Sequence, residues 1–230
     1  MIPTEMPWPK FVSGWPNEFR QGQHVTIIGP TECGKTLLSQ ELVKPRSRVV
    51  ACGVKHVDES MHQLLKGEWV RVNRWQDRPR SCQRVLVWPK EADIDKVEGV
   101  HREVFTRLLA DIYKRGGWCI WTDELRYMTD IIGLRKRYQL MYIAARSNHI
   151  SLVSAAQRPS HVPLEAYSQA AHLILFRTGD ERDLARVGGL NGISAKQVSA
   201  TVATLPFHSF LHVNLRDGRQ TVSTLERGNK

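Results

Sequence analysis

Gly29-Pro-Thr-Glu-Cys-Gly34-Lys35-Thr36 sets two glycines around four residues and follows them at once with a cation and a hydroxyl. This spacing, Gly-x4-Gly-Lys-Thr, is that of a phosphate-binding loop. In such a turn the backbone N–H groups point inward at phosphate oxygens, and the positive end of the following helix adds to them. Gly29 and Gly34 let the chain approach the phosphates, while Pro30, Thr31, Glu32 and Cys33 complete the cradle. Lys35 supplies a positive charge, and the Thr36 hydroxyl is of the type that ligates magnesium. An ordinary glycine turn is the competing reading, but it needs neither the lysine nor the threonine. The stretch predicts a site for ATP and Mg2+.

A second group of residues has the chemistry to hydrolyse what the loop binds. Asp123 and Glu124 end the apolar run Trp118-Cys-Ile-Trp121. An acid at a strand end beside a phosphate loop supports the metal through its bound water, and a neighbouring acid orients and polarises the attacking water. Gln157 ends a further apolar strand, in "LVSAAQRPS". A glutamine there is placed to contact the γ-phosphate or the water, or is simply a turn residue. His208-x3-His212 resembles a metal pair, yet on a strand these positions stand about 13 Å apart, too far to share an ion.

The elements that must position these residues alternate along the chain. Val25-Thr-Ile-Ile28 reads as a buried strand, and Leu37, Leu38, Leu42 and Val43 recur at helical spacing after the loop. Strands are expected at 47–53, 69–75, 83–88, 118–121, 150–156 and 172–176. Helices are expected at 91–115, stopped by Gly116-Gly117, and at 133–147, with shorter pieces at 57–68, 181–187 and 194–202. The end, 207–215 and 220–225 around Asp217-Gly218, reads as a hairpin. Strands alternating with helices imply an α/β fold with a mainly parallel sheet flanked by helices. Residues 1–23, rich in proline with Trp8 and Trp15, read as an extended N-terminal arm. The ATPase domain would then span 24–230, with a strand-rich basic insertion at 66–90 and a terminal hairpin at 205–226.

Composition bounds these readings. A chain of 230 residues, 24% charged and 41% hydrophobic, is expected to be one soluble domain. No window approaches the ~18 apolar residues of a membrane span. Met1 to Trp8 lacks the pattern of a secretory signal. Cys33, Cys52, Cys82 and Cys119 are scattered, which suits reduced thiols and a cytoplasmic compartment. The net charge of +10 suits either a polyanion partner or general solubility.

"RSNHISLVSAAQRPSHVP" resembles the corresponding segment of the FtsK–HerA superfamily of DNA-pumping ATPases, in which an arginine precedes a strand ending in Thr-Gln-Arg-Pro or a close relative. Ala156 stands here where threonine is usual. "HLILFRTGDERDLARVGG" is similar to the family's following strand and polar helix, so the resemblance spans about residues 24 to 190. It implies a RecA/FtsK–HerA-like P-loop fold. A compact chain of this kind is most similar to the genome-packaging ATPases of tailless, membrane-containing icosahedral viruses. By position it assigns Lys35 and Thr36 to triphosphate and magnesium, Asp123 to the metal, Glu124 to the role of catalytic base and Gln157 to that of sensor. Arg146 becomes the first choice for a finger inserted into a neighbour's site, with Arg177, Arg182 and Arg186 as rivals. A solvated arginine is the plain alternative for each. The family implies a homo-oligomeric, hexameric ring around double-stranded DNA, with a capsid or membrane docking protein. The place of work would be the host cytoplasm or the packaging vertex of the virion.

Two basic clusters are the DNA-contact candidates. Arg71, Arg74, Arg78, Arg80 and Arg84 lie among Trp69, Trp75 and Trp88, and Arg135, Lys136 and Arg137 follow Asp123. Backbone-directed cations grip any sequence, as a genome-length motor requires. Aromatics among them could stack on bases, although a strand tryptophan is more often core. Two other functions compete with packaging. One is a conjugation- or helicase-type motor on single strands, and the other is an ATP-dependent assembly or secretion module indifferent to DNA.

Overall fold

Val25-Thr-Ile-Ile28 and the other short apolar runs are buried on both faces, which is the signature of parallel strands covered by helices. A computed structural model describes residues 3–91, 93–178 and 194–226 of the chain. Its ten strands, β1 (Thr4–Glu5), β2 (His24–Ile28), β3 (Val49–Cys52), β4 (Val70–Val72), β5 (Arg84–Val87), β6 (Cys119–Thr122), β7 (Ser151–Ala156), β8 (His172–Phe176), β9 (Ser209–Asn214) and β10 (Gln220–Thr224), form one sheet. The order is β1-β10-β9-β8-β2-β7-β6-β3-β5-β4. From β8 to β4 every pairing is parallel, whereas β9 runs antiparallel to both β8 and β10.

Side chains alternate between the two faces with the period of a strand. Val25 and Ile27 enter one core with α1 (Trp8–Glu18) and α2 (Lys35–Val43); α3 (Glu59–Leu64) adds Met61 to it. Ile28, Val50 and Val87 enter the other, under α4 (Ile94–Arg115), α5 (Arg135–Ala144), α6 (Glu165–Ser168) and α7 (Ala195–Thr204). Asp93 caps α4 by accepting from the Asp95 amide, and Gly116 ends it at φ 69°. One irregular turn was not expected: Tyr127–Ile131 is a π-helix directly after Asp123 and Glu124.

The N-terminal segment is not an extended arm. Residues 8–18 are helical, because Pro9 in the first turn needs no intrahelical donor and has a helical φ. Phe11, Trp15 and Phe19, four apart, form one apolar stripe, and Trp15 is only 2% exposed. Its Nε1 donates to the Leu42 carbonyl at 2.9 Å, fixing α1 against α2. Residues 66–90 are continuous with the sheet rather than a separate insertion, since β5 pairs β3 and β4 forms the edge. The terminal hairpin forms as expected, and Arg219 at its turn pairs with Glu18 at 2.9 Å. The short helix expected at 181–187 lies outside the described residues. Among those described, no helix is long and apolar enough to cross a membrane.

Candidate active site

β2, β6, β7 and β8 are mutually parallel, so the segments leaving their C-terminal ends meet at one edge of the sheet. Gly29 to Gly34 joins β2 to α2 at that edge. Glu32 takes φ 64° and Gly34 φ 108°, backbone states that turn successive N–H groups toward one side. Gly34 opens α2 without a side-chain cap, which leaves the first-turn amides available to an anion. A Cβ on Gly29 would lie 2.6 Å from the Phe176 Cβ, and one on Gly34 would collide with the Leu225 side chain. Lys35 folds over the loop, its Nζ donating to the Pro30 carbonyl at 2.6 Å.

The acids predicted from strand ends arrive at the same place. Thr36 Oγ1 donates to Asp123 Oδ2 at 2.9 Å. Asp123 is 9% exposed, and its Oδ1 is buried without a hydrogen-bond partner. Burial raises its pKa, against the opposing pull of the Thr36 bond and the charges of Lys55 and Lys35. A buried carboxylate with one oxygen orphaned, beside a threonine hydroxyl, fits a divalent cation or its bound water. Gln157 Nε2 donates to Glu124 Oε2 at 2.9 Å, so the expected base and sensor touch each other. Beneath them the Thr122 and Tyr138 hydroxyls share a bond of 2.7 Å, and Tyr142 donates to Ser154 at 2.7 Å. These tie α5 under the ends of β6 and β7.

Sequence reasoning missed Lys55, which leaves the end of β3 toward this edge. Its Nζ lies 3.1 Å from Asp58 Oδ2. Burial works to lower its pKa, but the bond to Asp58 and the charges of Asp58, Asp123 and Glu124 carry it above the ordinary value. The loop after a strand beside the acid-bearing strand was the only available signal. His208 and His212 serve different neighbours. His208 Nδ1 donates to the Cys33 carbonyl at 3.0 Å, while His212 Nε2 lies 3.1 Å from His172 Nδ1 beneath α1. Among the described residues no group of three or more His, Cys, Asp or Glu side chains is gathered as a metal site.

Arg146 sits in the 3-10 turn Ala145–Asn148 before β7. It is exposed and lies at the N-terminal edge of the sheet, opposite the loop of its own chain. Arg177 follows β8 and stands on the loop's own edge. Arg182 and Arg186 lie outside the described residues.

The basic clusters divide. Trp75 and Trp88 are core residues, not stacking platforms, and their indole N–H groups donate to Asp111 and to the Lys55 carbonyl at 2.7 Å each. Arg78 lies 3.6 Å over the Trp75 ring and Arg71 4.2 Å over Trp88. Arg74 pairs with Asp77 at 3.1 Å, Arg84 with Glu68 at 3.2 Å and Arg135 with Asp130. Arg80, Lys136 and Arg137 are exposed.

No family model matches the chain. It is 28% identical over 201 residues to the DNA packaging ATPase P9 of Enterobacteria phage PRD1, covering 83% of this chain and 82% of that one. Among solved structures it is similar to the genome packaging NTPase B204 of Sulfolobus turreted icosahedral virus 2 in complex with sulfate. The TM-score is 0.65 at 18% identity, over 92% of this chain and all of the other. The pCW3 conjugation coupling protein TcpA, with ATPγS, matches at a TM-score of 0.55 and 16% identity, over 87% of this chain and 59% of its own. The chain is therefore similar in sequence to the PRD1 protein and has the fold of the solved packaging NTPase B204.

Proposed function

We propose, from this similarity, that the protein is a genome-packaging ATPase that couples ATP hydrolysis to movement of double-stranded DNA through a homo-oligomeric ring. The observation that carries the reading is the pairing at the loop's edge: Thr36 on a half-orphaned Asp123, and Gln157 on Glu124. The loop amides and Lys35 hold the triphosphate. Thr36 and Asp123 would hold Mg2+, which would supply positive charge to neutralise that developing on the phosphates. Glu124 takes the proton of the attacking water, and Gln157 holds the Glu124 carboxylate in place until the γ-phosphate competes for its amide. Release of that bond on nucleotide binding supplies a change of state at Gln157 that passes along Arg158, Pro159 and Ser160.

Arg146, at the edge remote from its own loop, is suited to complete a neighbouring subunit's site in trans, as an arginine finger does. Exposed Arg80, Lys136 and Arg137 are the stronger DNA-contact candidates, because the remaining arginines already meet acids or tryptophan rings. A docking protein on the capsid or membrane would place the ring at its work.

The test is the steady-state rate of ATP hydrolysis without DNA, with single-stranded DNA and with double-stranded DNA. Stimulation by the duplex is expected. Stimulation by single strands alone would point to a conjugation-type motor, and indifference to both would point to an assembly module.

A further inference from the structure

The loop has two flanks, and the chemistry above occupies only one. Asp123, Glu124 and Gln157 come from β6 and β7 on one side of β2, while β8 and β9 stand on the other side. Between the loop and that second flank lies a cleft of about 340 Å3 lined by Cys33, Arg177, Thr178, Pro206, Phe207 and His208. The γ-phosphate belongs with the acids. The loop amides cradle the inner phosphates, and with the γ-phosphate toward the acids the base end of the nucleotide is directed away from them, toward this cleft.

Phe207 carries its ring there 63% exposed, although it is one of the largest apolar side chains in the protein. It is held in place by its neighbour. His208 adopts φ 65°, uncommon for a residue with a Cβ. The turn is fastened at two points, His208 Nδ1 to the Cys33 carbonyl at 3.0 Å and the Leu225 amide to the His208 carbonyl at 3.1 Å. The Phe207 and His208 rings lie 4.2 Å apart. An exposed aromatic ring is thereby fixed at a set distance from the phosphate loop.

We propose that this cleft is the nucleobase site and that Phe207 is the face on which the base stacks, with Arg177 and Thr178 forming the wall beside it. The inference rests on the reading of the loop as a nucleotide site. Stacking on a ring recognises the π-face that all bases share. ATP and GTP therefore bind with similar affinity, and base identity is read weakly.

Calorimetric titration with ATP, GTP and inorganic tripolyphosphate, each with Mg2+, separates the possibilities. Phe207→Ala should weaken ATP and GTP about tenfold or more, leave tripolyphosphate unchanged, and leave the melting temperature near that of the wild type because the ring is exposed. Phe207→Trp should keep ATP binding and show quenching of the new indole when ATP is added. Unchanged ATP affinity in Phe207→Ala would overturn the proposal, and so would equal weakening of ATP and tripolyphosphate, which would place the effect on the loop. Wild-type protein that binds none of the three ligands would overturn the nucleotide-site reading itself, and Lys35→Ala should reproduce that behaviour.

Discussion

On the β6–β7 side of the phosphate loop, polar side chains bond one another: Thr36 to Asp123 and Gln157 to Glu124. On the β8–β9 side, an apolar wedge and one histidine meet the loop backbone, with Leu225 against Gly34 and His208 on the Cys33 carbonyl. On the proposed function, the first flank holds the groups whose chemistry changes during hydrolysis. The second fixes the shape of the loop on which that chemistry acts. Damage to the first should therefore remove turnover and spare binding, whereas damage to the second should weaken binding itself.

The largest expected effect lies on the reactive flank. Glu124→Gln should lower single-turnover ATP hydrolysis about 10²- to 10⁴-fold while nucleotide affinity by calorimetry stays near that of the wild type. Gln157→Ala should act in the same direction with a smaller loss, since it removes the γ-phosphate sensor and not the base.

Acid should find the supporting flank first. His172 on β8 and His212 on β9 are buried against each other and under Trp15, and burial pushes their pKa values down to about 4 and about 3. His24 on β2 is likewise lowered to about 4. Unfolded histidine titrates near 6.5, so the unfolded chain takes up protons that the folded chain refuses. Stability is whole above pH ~6.5 and falls as pH drops toward 4, by about 1.4 kcal/mol per pH unit for each independent histidine. Chemical denaturation at pH 7.5, 6 and 5 measures this, and His212→Gln should flatten the slope.

Gly34→Ala tests the wedge. The new Cβ meets Leu225 and must also adopt φ 108°, so the variant should lose nucleotide affinity and more than ~1 kcal/mol of stability. Adding Leu225→Ala should relieve the collision but not the backbone strain, giving partial recovery. The smallest effect is that of His208→Ala, which removes one hydrogen bond to the loop. About 0.5–1.5 kcal/mol, or a few-fold in ATP affinity, is expected.

The two flanks also differ in how they are written in the chain. The loop, the acids after β6 and the glutamine after β7 are legible because each is a short local pattern next to a buried apolar run, and parallel strands bring their ends together. The pairing of Gln157 with Glu124 follows from β6 and β7 being neighbours, which no local pattern states. Lys55 was missed because a lysine in a loop after a strand is ordinary until the loop is seen to reach the acids. Leu225 and His208 act on residues of the loop far earlier in the chain, 175 positions in the case of His208 and Cys33, so only the tertiary fold reveals them. Helix α1 was obscured by its prolines: Pro9 suits the first turn, but Pro16 lies inside the helix, where a proline ordinarily argues against one. Trp75 and Trp88 read more readily as core than as stacking surface, and the indole bonds to Asp111 and to the Lys55 carbonyl decide for core.

The central claim is that hydrolysis at this loop drives movement along duplex DNA. Displacement of a fluorescent third strand from a DNA triplex, recorded with wild-type protein and with Glu124→Gln, tests it most directly. ATP-dependent displacement by the wild type, absent in the variant, is the predicted result. Hydrolysis of ATP at an undiminished rate with the third strand left in place, on DNA that the protein demonstrably binds, would contradict it.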